Sequence, residues 1–280
     1  MTILVTGATG RVGRIVAREL VAAGERVRLA ARRPDGDGDR HQVALDFTEP
    51  ATWPAAFDGV RALFLVRPPA IGNVRRDLLP AMAAARDAGV EHVVFLSLQG
   101  VEKLRGAPHA LVERWLAESG MSWTFVRASF FHQNLLTPHG SDIRDRDELV
   151  VPAGTGRTAF VDAEDVGAVA AAALLNPGAH AERAWTVTGS RALDYHQVVE
   201  VLSAELGRPI RYREPSVARY VRHARRHLDM PWPMVAVTTA IYTSARLGLA
   251  AGLTDDVETV LGRAPIDLAD FARRERAAWS

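Results

Sequence analysis

Short apolar runs of β type alternate with amphipathic helical segments through the first two-thirds of the chain. The runs are rich in valine, leucine, isoleucine and phenylalanine, the residue types that fill buried strands. They predict strands at residues 3–7, 26–30, 41–46, 62–66, 92–97, 123–129 and 184–189. The first helical segment stops at Gly24, and its apolar positions share one face: Val12, Ile15, Val16 and Leu20.

This alternation predicts parallel strands joined by right-handed crossovers, and hence an α/β fold with a Rossmann-like, doubly wound parallel sheet. After about residue 190 the pattern changes to helices and loops. We therefore assign residues 1–189 to an α/β domain, to which later parts of the chain can return, and residues 190–280 to a smaller, mostly helical lobe. The most apolar segment, residues 234–252, contains threonines, a serine and Arg246, which favour a packed lid or interface helix over a membrane helix.

Composition and charge exclude several classes of protein and site. The 280 residues carry a net charge of +1, which provides no overall field for nucleic acid or an anionic membrane. Cysteine is absent, so disulfides, thiolate metal sites and cysteine catalysis are excluded, and a reducing, cytoplasmic location fits. The N-terminus shows no signal-peptide pattern. We expect neither nucleic-acid nor membrane partners, and either a monomer or a homodimer.

Three glycines, Gly7, Gly10 and Gly13, lie in the first strand-to-helix turn, TGATGRVG. A pyrophosphate binds to backbone N–H groups at a helix N-terminus, where the helix dipole also favours negative charge. Glycines at this spacing allow a sharp turn, close approach of the phosphates and close packing of the helix on the sheet, in that order. The motif predicts a dinucleotide site formed by Gly7, Thr9, Gly10, Arg11, Val12 and Gly13.

The residues after the second strand indicate which dinucleotide binds. NAD-binding proteins usually place an acid there for the ribose 2′-hydroxyl. This chain has Arg32 and Arg33, whose guanidinium groups can grip a 2′-phosphate, so we expect NADP(H) to be preferred over NAD(H). Arginine is abundant in the chain, so one of the pair can be simply solvated. Nearby acids that can be mistaken for the NAD-type acid are Asp35, Asp37 and Asp39.

Other predicted cofactor contacts follow the third, fourth and fifth strands, at the carboxyl edge of the sheet. Asp46 can bond the adenine amino group, although a plain strand-end turn is an equal alternative. The remaining candidates are Phe47, Val66, Arg67, Pro68, Ser97, Leu98 and Gln99.

Together, these features resemble the NmrA-like branch of atypical short-chain dehydrogenase/reductases over essentially the full chain. Beyond the glycine motif, the resemblance is carried by residues 95–103, 108–135, 151–171 and 260–279, and the segment PHALVERWLAESGMSWTFVRASFFHQNL is specific. It implies a Rossmann-like NAD(P)-binding domain with a small C-terminal substrate lobe. Members include NADPH-dependent quinone oxidoreductases and triphenylmethane reductase, whereas others are redox sensors that bind the nucleotide without obvious turnover.

The chain departs from the wider superfamily at its catalytic pair, Tyr-x-x-x-Lys. All four tyrosines lie at or beyond residue 195, and the corresponding helix carries His109 and Glu113 at the same spacing. We predict His109, Ser97 and Gln99 as catalytic candidates, with Glu113 orienting the imidazole. The alternative for His109 is a cap or surface histidine paired with Glu113. Two ligands without a third make a metal site a poor interpretation, and none is predicted.

The segment after the sixth strand supplies candidates for the acceptor. Phe130 and Phe131 can wall a planar molecule while His132 and Asn134 provide polar contacts, although core packing by one phenylalanine is an equal alternative. Farther on, the basic stretch 219–233 is either a solvated helix face or a cationic rim over a cleft, to which Trp232 adds apolar surface.

Two classes of function follow. The leading hypothesis is an NADPH-dependent oxidoreductase that transfers hydride to a small planar or conjugated acceptor of quinone, enone or carbonyl type. The alternative is a non-catalytic NADP(H)-binding redox sensor, which the missing Tyr-x-x-x-Lys pair favours. Nucleotide-dependent epimerase or lyase chemistry is a weaker third possibility.

Overall fold

The computed structural model describes residues 1–34 and 41–280, which form two compact units. The first unit comprises Met1–Ala128, Ala163–Val187 and Thr259–Gly262. The second comprises Ser129–Asp162, Thr188–Glu258 and Arg263–Ser280. From the sequence we expected residues 129–162 in the α/β domain, whereas Leu135, Ile143 and Leu149 from this segment pack in the apolar core of the second unit.

Nine strands run along the described residues, and seven of them form one sheet. They are β1 (Thr2–Val5), β2 (Arg26–Ala31), β3 (Gln42–Ala44), β4 (Ala62–Val66), β5 (His92–Leu98), β6 (Ser122–Ala128), β7 (Glu148–Val150), β8 (Arg183–Val187) and β9 (Arg211–Arg213). The sheet of the first unit has the order β3-β2-β1-β4-β5-β6-β8, and every pairing is parallel. Each predicted strand is present, and the doubly wound α/β fold is confirmed. In the second unit, β7 pairs in parallel with β9.

The helices of the described residues lie between and after these strands. They are α1 (Arg11–Ala22), α2 (Trp53–Phe57), α3 (Val74–Asp77), α4 (Leu79–Asp87), α5 (Pro108–Glu118), α6 (Gly140–Arg146), α7 (Ala163–Leu175), α8 (Pro177–His180), α9 (Tyr195–Leu206), α10 (Val217–Arg226), α11 (Trp232–Arg246), α12 (Asp256–Leu261) and α13 (Leu268–Arg274). Short 3-10 turns occupy Pro50–Thr52, Val101–Lys103, His132–Leu135 and Arg276–Trp279. The predicted apolar face of α1 is buried.

Helices cover the sheet of the first unit because alternate strand residues point to opposite faces. One apolar cluster joins Leu63 and Phe95 of the strands to helix residues such as Met82, Val112 and Leu116. The helices α1 and α7 pack against each other at Gly167, where a Cβ atom would lie 2.4 Å from Cγ2 of Ile15. This close approach admits only glycine at position 167.

The core of the second unit is dominated by aromatic side chains. Tyr195 meets the rings of Phe160 and Tyr242 edge to face, with centroid distances of 5.6 and 6.0 Å. Helix α11 overlaps residues 234–252, the segment predicted to be a lid or interface helix; it buries Val235 and Tyr242 but exposes Met234 and Val237. Within residues 1–34 and 41–280, no helix combines the length and hydropathy that crossing a bilayer requires.

Candidate functional site

The strand order reverses its direction of growth between β1 and β4. In an open parallel sheet, ligands bind outside the carboxyl ends of the strands at such a reversal. The residues that follow the two strands meet there, because a Cβ atom on Gly7 would lie 3.2 Å from Cβ of Val66. The predicted cofactor residues after β1 and β4 therefore lie side by side at the expected crevice.

The three glycines have distinct structural roles in this turn. Gly7 has a φ of +62°, a left-handed conformation that L side chains rarely adopt. Gly10 is the N-cap of α1, and its N–H donates to the carbonyl of Gly7 over 2.8 Å. A Cβ atom on Gly13 would lie 2.2 Å from that same carbonyl oxygen. Gly13 thus lets the helix pack on the turn itself, whereas we expected it to let the helix pack on the sheet.

The turn leaves the N-terminus of α1 uncovered. No side chain caps the helix at Gly10, and Thr9, Gly10 and Arg11 are exposed while Val12 is buried. Backbone N–H groups of a first helical turn have no partners within the helix. A side chain at Gly13 would force this turn open. We call residues 7–13, with their uncapped N–H groups, the glycine cradle; exposed N–H groups at a helix N-terminus are the arrangement that fits a diphosphate.

Thr6 fixes the turn to β4, a role that sequence reasoning missed. Its hydroxyl donates to the carbonyl of Phe64 over 2.9 Å and accepts from the N–H of Val66 over 2.8 Å. The side chain is buried at 2% exposure. A polar residue that ends a wholly apolar strand was the available signal, since buried hydroxyls need partners.

The residues after β2 and β3 form the side of the crevice on which we expected the adenosine. Arg32 and Arg33 are exposed. Asp46 accepts hydrogen bonds from the N–H and hydroxyl of Thr48, at 2.9 and 2.7 Å, and Phe47 is buried. The bonds from Thr48, with a smaller effect from the charge of Arg32, hold the pKa of Asp46 below its ordinary value. The strand-end turn that was left open as an alternative is therefore formed.

Three acids that follow Arg33 lie outside the described residues: Asp35, Asp37 and Asp39.

Arg67 follows β4 and is half-buried, as are its neighbours Val66 and Pro68. Its Nη1 donates to the carbonyl oxygens of Ile71 and Pro68, at 2.6 and 3.2 Å. Burial lowers the pKa of the guanidinium from its ordinary value, because a charged group loses hydration there. The arrangement holds a cation at the carboxyl edge of the sheet.

The end of β5 is tied to α5 through Glu113. The hydroxyl of Ser97, which is 0% exposed, donates to Oε1 of Glu113 over 2.6 Å. Arg127 of β6 grips the same carboxylate with Nε and Nη2, at 3.0 and 2.7 Å. Leu98 is exposed, and the backbone N–H of Gln99 donates to the carbonyl of Ala128 over 3.0 Å. Ser97 is thus bound inside the protein, while Leu98 and Gln99 reach the surface of the unit.

His109 lies in the first turn of α5 and is half-buried. Its ring stacks on Phe95, with centroids 5.7 Å apart and planes inclined by 27°. Burial, with a smaller effect from the positive charge of Arg67, lowers the pKa of His109 to about 4, so the imidazole is neutral at pH 7. The carboxylate of Glu113 is engaged by Ser97 and Arg127 and does not orient this ring, contrary to expectation.

The predicted acceptor residues all belong to the second unit. Phe130 packs into its aromatic core, 5.6 Å from Phe160 and 6.1 Å from Tyr242 between ring centroids, which was the alternative to a wall. Trp232 is 63% exposed, and the guanidinium carbon of Arg225 lies 5.2 Å from its ring centroid. Phe131 and Asn134 are half-buried.

His132 is enclosed within that unit. It is 2% exposed, its ring lies 5.2 Å from that of Phe271, and its Nδ1 is 4.0 Å from Asp162. Gln133 and Arg274 bond the same buried Asp162, at 2.8 and 2.7 Å. His132 therefore packs in the core rather than at a surface, with its ring against those of Phe160 and Phe271, whose centroids are 6.2 and 5.2 Å away.

A cavity of about 310 Å³ lies at the opposite, amino edge of the sheet, lined by residues such as Arg61, His92 and Ser122. It contains no predicted site residue. In the part of the chain that the structure describes, no group of three or more histidine, aspartate or glutamate side chains is arranged to hold a metal ion.

Comparison with known proteins identifies the family and agrees with the fold. The NAD(P)H azoreductase of Xenophilus azovorans is 37% identical over 99% of both chains. The fold matches that of an NADPH-dependent quinone oxidoreductase from Escherichia coli complexed with NADPH, with a TM-score of 0.85, 21% identity and 98% and 99% of the two chains covered. It also matches NmrA, a negative transcriptional regulator in complex with NADP, with a TM-score of 0.77, 20% identity and 97% and 94% coverage. A profile of the NmrA-like family matches residues 1–268, and the chain belongs to that family.

Proposed function

We propose that the protein is an NAD(P)H-dependent oxidoreductase that reduces a small planar or conjugated acceptor of quinone, enone or carbonyl type. The observation that carries this proposal is the glycine cradle at the reversal of strand order, in which Gly13 cannot bear a side chain. The azoreductase relative, similar over the whole chain, supports the same class of reaction.

The cradle would hold the pyrophosphate at the N-terminus of α1, with Gly7, Thr9, Gly10, Arg11, Val12 and Gly13 around it. Arg32 and Arg33 would bind the 2′-phosphate of NADP(H), which we propose as the preferred cofactor. Asp46 and Phe47 would border the adenosine on the same side of the sheet. The nicotinamide half would then lie toward the ends of β4 and β5.

The bound nicotinamide supplies the hydride, and the chain supplies position and charge. Arg67 places a positive charge near the ends of β4 and β5, where it stabilises negative charge that develops on the acceptor. The imidazole of His109, whose pKa is lowered by burial and in smaller part by the charge of Arg67, is neutral at pH 7 and offers one hydrogen-bond donor. Ser97 acts as a positioning residue, because its hydroxyl links the end of β5 to Glu113, while Gln99 provides a side chain at the surface.

A conjugated acceptor suits this set of residues. No tyrosine stands four residues before Lys103, the one lysine of the chain, so the Tyr-x-x-x-Lys proton donor is missing. A quinone carries negative charge without immediate protonation, whereas an ordinary ketone needs a proton donor as hydride arrives. Of the residues predicted to contact the acceptor, Phe131, Asn134 and Trp232 are partly or largely exposed and stay candidates. Phe130 and His132 pack in a core instead.

The test follows NADPH oxidation by absorbance across quinones, dyes and carbonyl compounds. Turnover with at least one conjugated acceptor, and its loss in the variant Gly13→Ala, is the expected result. Failure to bind either nicotinamide nucleotide would refute the proposal.

The alternative is an NADP(H)-binding redox sensor without turnover. The absent Tyr-x-x-x-Lys pair favours it. Tight nucleotide binding combined with no oxidation of NADPH by any acceptor would select the sensor over the enzyme.

A further inference from the structure

One side of α11 is exposed to solvent and carries no charged side chain. The opposite side packs into the second unit through Val235, Thr238, Tyr242 and Ala245. Residues 232–245 contain no aspartate, glutamate, lysine or arginine, although an exposed helix normally places charged residues on its outward side. We call this outward, apolar side the α11 face, and its exposed residues are Pro233, Met234, Ala236, Val237 and Ala240. Exposed apolar surface of this kind marks an interaction site.

The α11 face continues beyond the C-terminal end of the helix. Leu247 and Leu249 are 68% and 76% exposed, and helical spacing places Leu247 in line with Val237 and Ala240. From Trp232 to Leu247 the chain advances about 22 Å, at 1.5 Å per residue. This apolar row is longer than a small planar acceptor, so its partner presents an extended surface.

Arginines accompany the α11 face on the neighbouring helix α10. The hydroxyl of Tyr220 on α10 donates to Oγ1 of Thr238 on α11 over 2.8 Å, which joins the two helices. The guanidinium carbon of Arg225 lies 5.2 Å from the ring centroid of Trp232, at the first turn of α11. Residues 217–253 contain five arginines and a single acid. Three more arginines of α10 are exposed: Arg219, Arg222 and Arg226.

We propose that the α11 face docks in the plane of an anionic lipid surface. Its apolar side chains, and the leucines that follow, would enter the boundary between headgroups and acyl chains, while the arginines meet lipid phosphates. Trp232 would lie at the level of the headgroups, which tryptophan favours. The helix lies along the surface and does not cross it. This inference goes beyond the proposed function and does not depend on nucleotide binding.

Charge favours a lipid surface over a second copy of the chain. Pairing of two α11 faces would bring together two segments that each carry five arginines and one acid, and like charges at an interface are unfavourable. An anionic lipid surface neutralises the same arginines. The expectation of no membrane partner rested on the net charge of the whole chain, +1, which averages over this basic segment.

The experiment measures binding of the protein to lipid vesicles by flotation. Vesicles of equal parts phosphatidylglycerol and phosphatidylcholine are compared with vesicles of phosphatidylcholine alone. We expect binding to the anionic vesicles to be at least about tenfold stronger, because several arginines contribute. We also expect it to weaken as salt is added, since exposed charges are screened.

Variants test the two components of the surface separately. Val237→Glu and Leu249→Glu each place a charge among the apolar side chains and should lower binding to anionic vesicles at least about tenfold. Arg222→Gln combined with Arg226→Gln should lower it about fivefold for each arginine lost. All four positions are exposed or follow the helix end, and thermal unfolding checks the fold of each variant. Two matched controls at exposed positions of the first unit should leave binding unchanged: Val21→Glu and Arg114→Gln.

Several results would overturn the proposal. Absent binding, or equal binding to both kinds of vesicle, removes the anionic surface as the partner. A dimer that Val237→Glu dissociates in light scattering, without vesicle binding, would assign the α11 face to a second copy of the chain. A raised KM for the acceptor in Val237→Glu, again without vesicle binding, would assign it to the acceptor site. If Val237→Glu fails to fold, Leu249→Glu and the arginine variants decide.

Discussion

The hydroxyl of Ser97 donates a 2.6 Å hydrogen bond to Glu113, which ties the end of β5 to the buried face of α5. Arg127 completes the arrangement with a bidentate grip on the same carboxylate. Helical spacing predicted that Glu113 would lie on the same face of α5 as His109 and pair with it. The carboxylate of Glu113 instead binds the guanidinium of Arg127 on β6. The network fixes the strand ends over which the nicotinamide half is expected to lie.

Removing this carboxylate should destabilise the first unit. Glu113 is 7% exposed, so Glu113→Gln leaves Arg127 without its buried counter-charge and should lower the free energy of unfolding by about 3 kcal/mol. Urea denaturation measures the loss. Glu118→Gln, at an exposed position of the same helix, should change the free energy of unfolding by less than about 0.5 kcal/mol. Equal effects of the two variants would contradict the structural role given to Glu113.

Gly13→Ala should abolish nucleotide binding. The added methyl would meet the Gly7 carbonyl at 2.2 Å, so either the turn or the first helical turn must move away from the position that cradles a diphosphate. Calorimetry with NADPH gives the affinity, and thermal unfolding shows whether the fold survives. The matched control is Gly72→Ala, since a Cβ there meets nothing within 4 Å. An unchanged affinity of Gly13→Ala for NADPH would show that the glycine turn does not bind the nucleotide.

Replacing the arginines after β2 should change the choice between cofactors. The double variant of Arg32→Gln and Arg33→Gln loses the guanidinium groups expected at the 2′-phosphate, so kcat/KM for NADPH should fall at least about tenfold while that for NADH stays nearly constant. Steady-state kinetics with both nucleotides measures the ratio. Arg75→Gln, an exposed position on α3, serves as the control. An equal fall of kcat/KM for NADPH and for NADH would show that Arg32 and Arg33 do not recognise the 2′-phosphate.

The pH dependence of turnover should reflect a histidine that stays neutral. With its pKa lowered to about 4, His109 does not titrate between pH 6 and pH 8 and should contribute no step in kcat there. His109→Gln keeps a hydrogen-bond donor and should retain part of the activity, while His109→Phe should lose more. A step near pH 6.5 that disappears in His109→Gln would show instead that the imidazole titrates at its ordinary pKa.

Buried histidines should make the fold sensitive to mild acid. Desolvation lowers the pKa of His92 and of His139 to about 4, below the ordinary value of 6.5, so the unfolded chain binds more protons between these values. Each histidine should therefore lower the free energy of unfolding by about 1.4 kcal/mol per pH unit as pH falls from 6.5 to 4, with no such loss above 6.5. Urea titrations at several pH values measure the slope.

His92→Gln tests the assignment of this slope. The amide carries no titrating proton, so the variant should show a shallower loss of stability between pH 6.5 and pH 4, whatever its stability at pH 7. An identical slope in the variant and the unaltered protein would assign the acid sensitivity to other groups.

The sequence predicted those elements whose formation depends on residues close together along the chain. Alternating apolar runs identified all seven strands of the sheet, and the spacing of Val12, Ile15 and Leu20 identified the buried face of α1. The glycine motif located the turn at the reversal of strand order. These features depend on neighbours within a few residues or on strand-end chemistry, which a sequence displays directly.

What the sequence missed depends on partners distant along the chain. Glu113 of α5 is bound by Arg127, which lies 14 residues later on β6. The ring of His132 packs against Phe271, which is far away along the chain. Helical or strand periodicity cannot predict these contacts, because the partners of a buried polar side chain depend on which elements pack together in the fold. The segment 129–162 likewise follows the strand β6 in sequence, but its apolar side chains pack against helices that come later in the chain.

The interleaving of the two units has a consequence for synthesis on the ribosome. The outermost strand β8 and the covering helix α7 of the first unit are translated only after residues 129–162, which belong to the other unit. A nascent chain that ends at residue 128 exposes the edge of β6 and the sheet face that α7 will cover. The glycine turn between β1 and α1 is translated before residues 129–162, yet the sheet that carries it is closed only when residue 187 has left the exit tunnel.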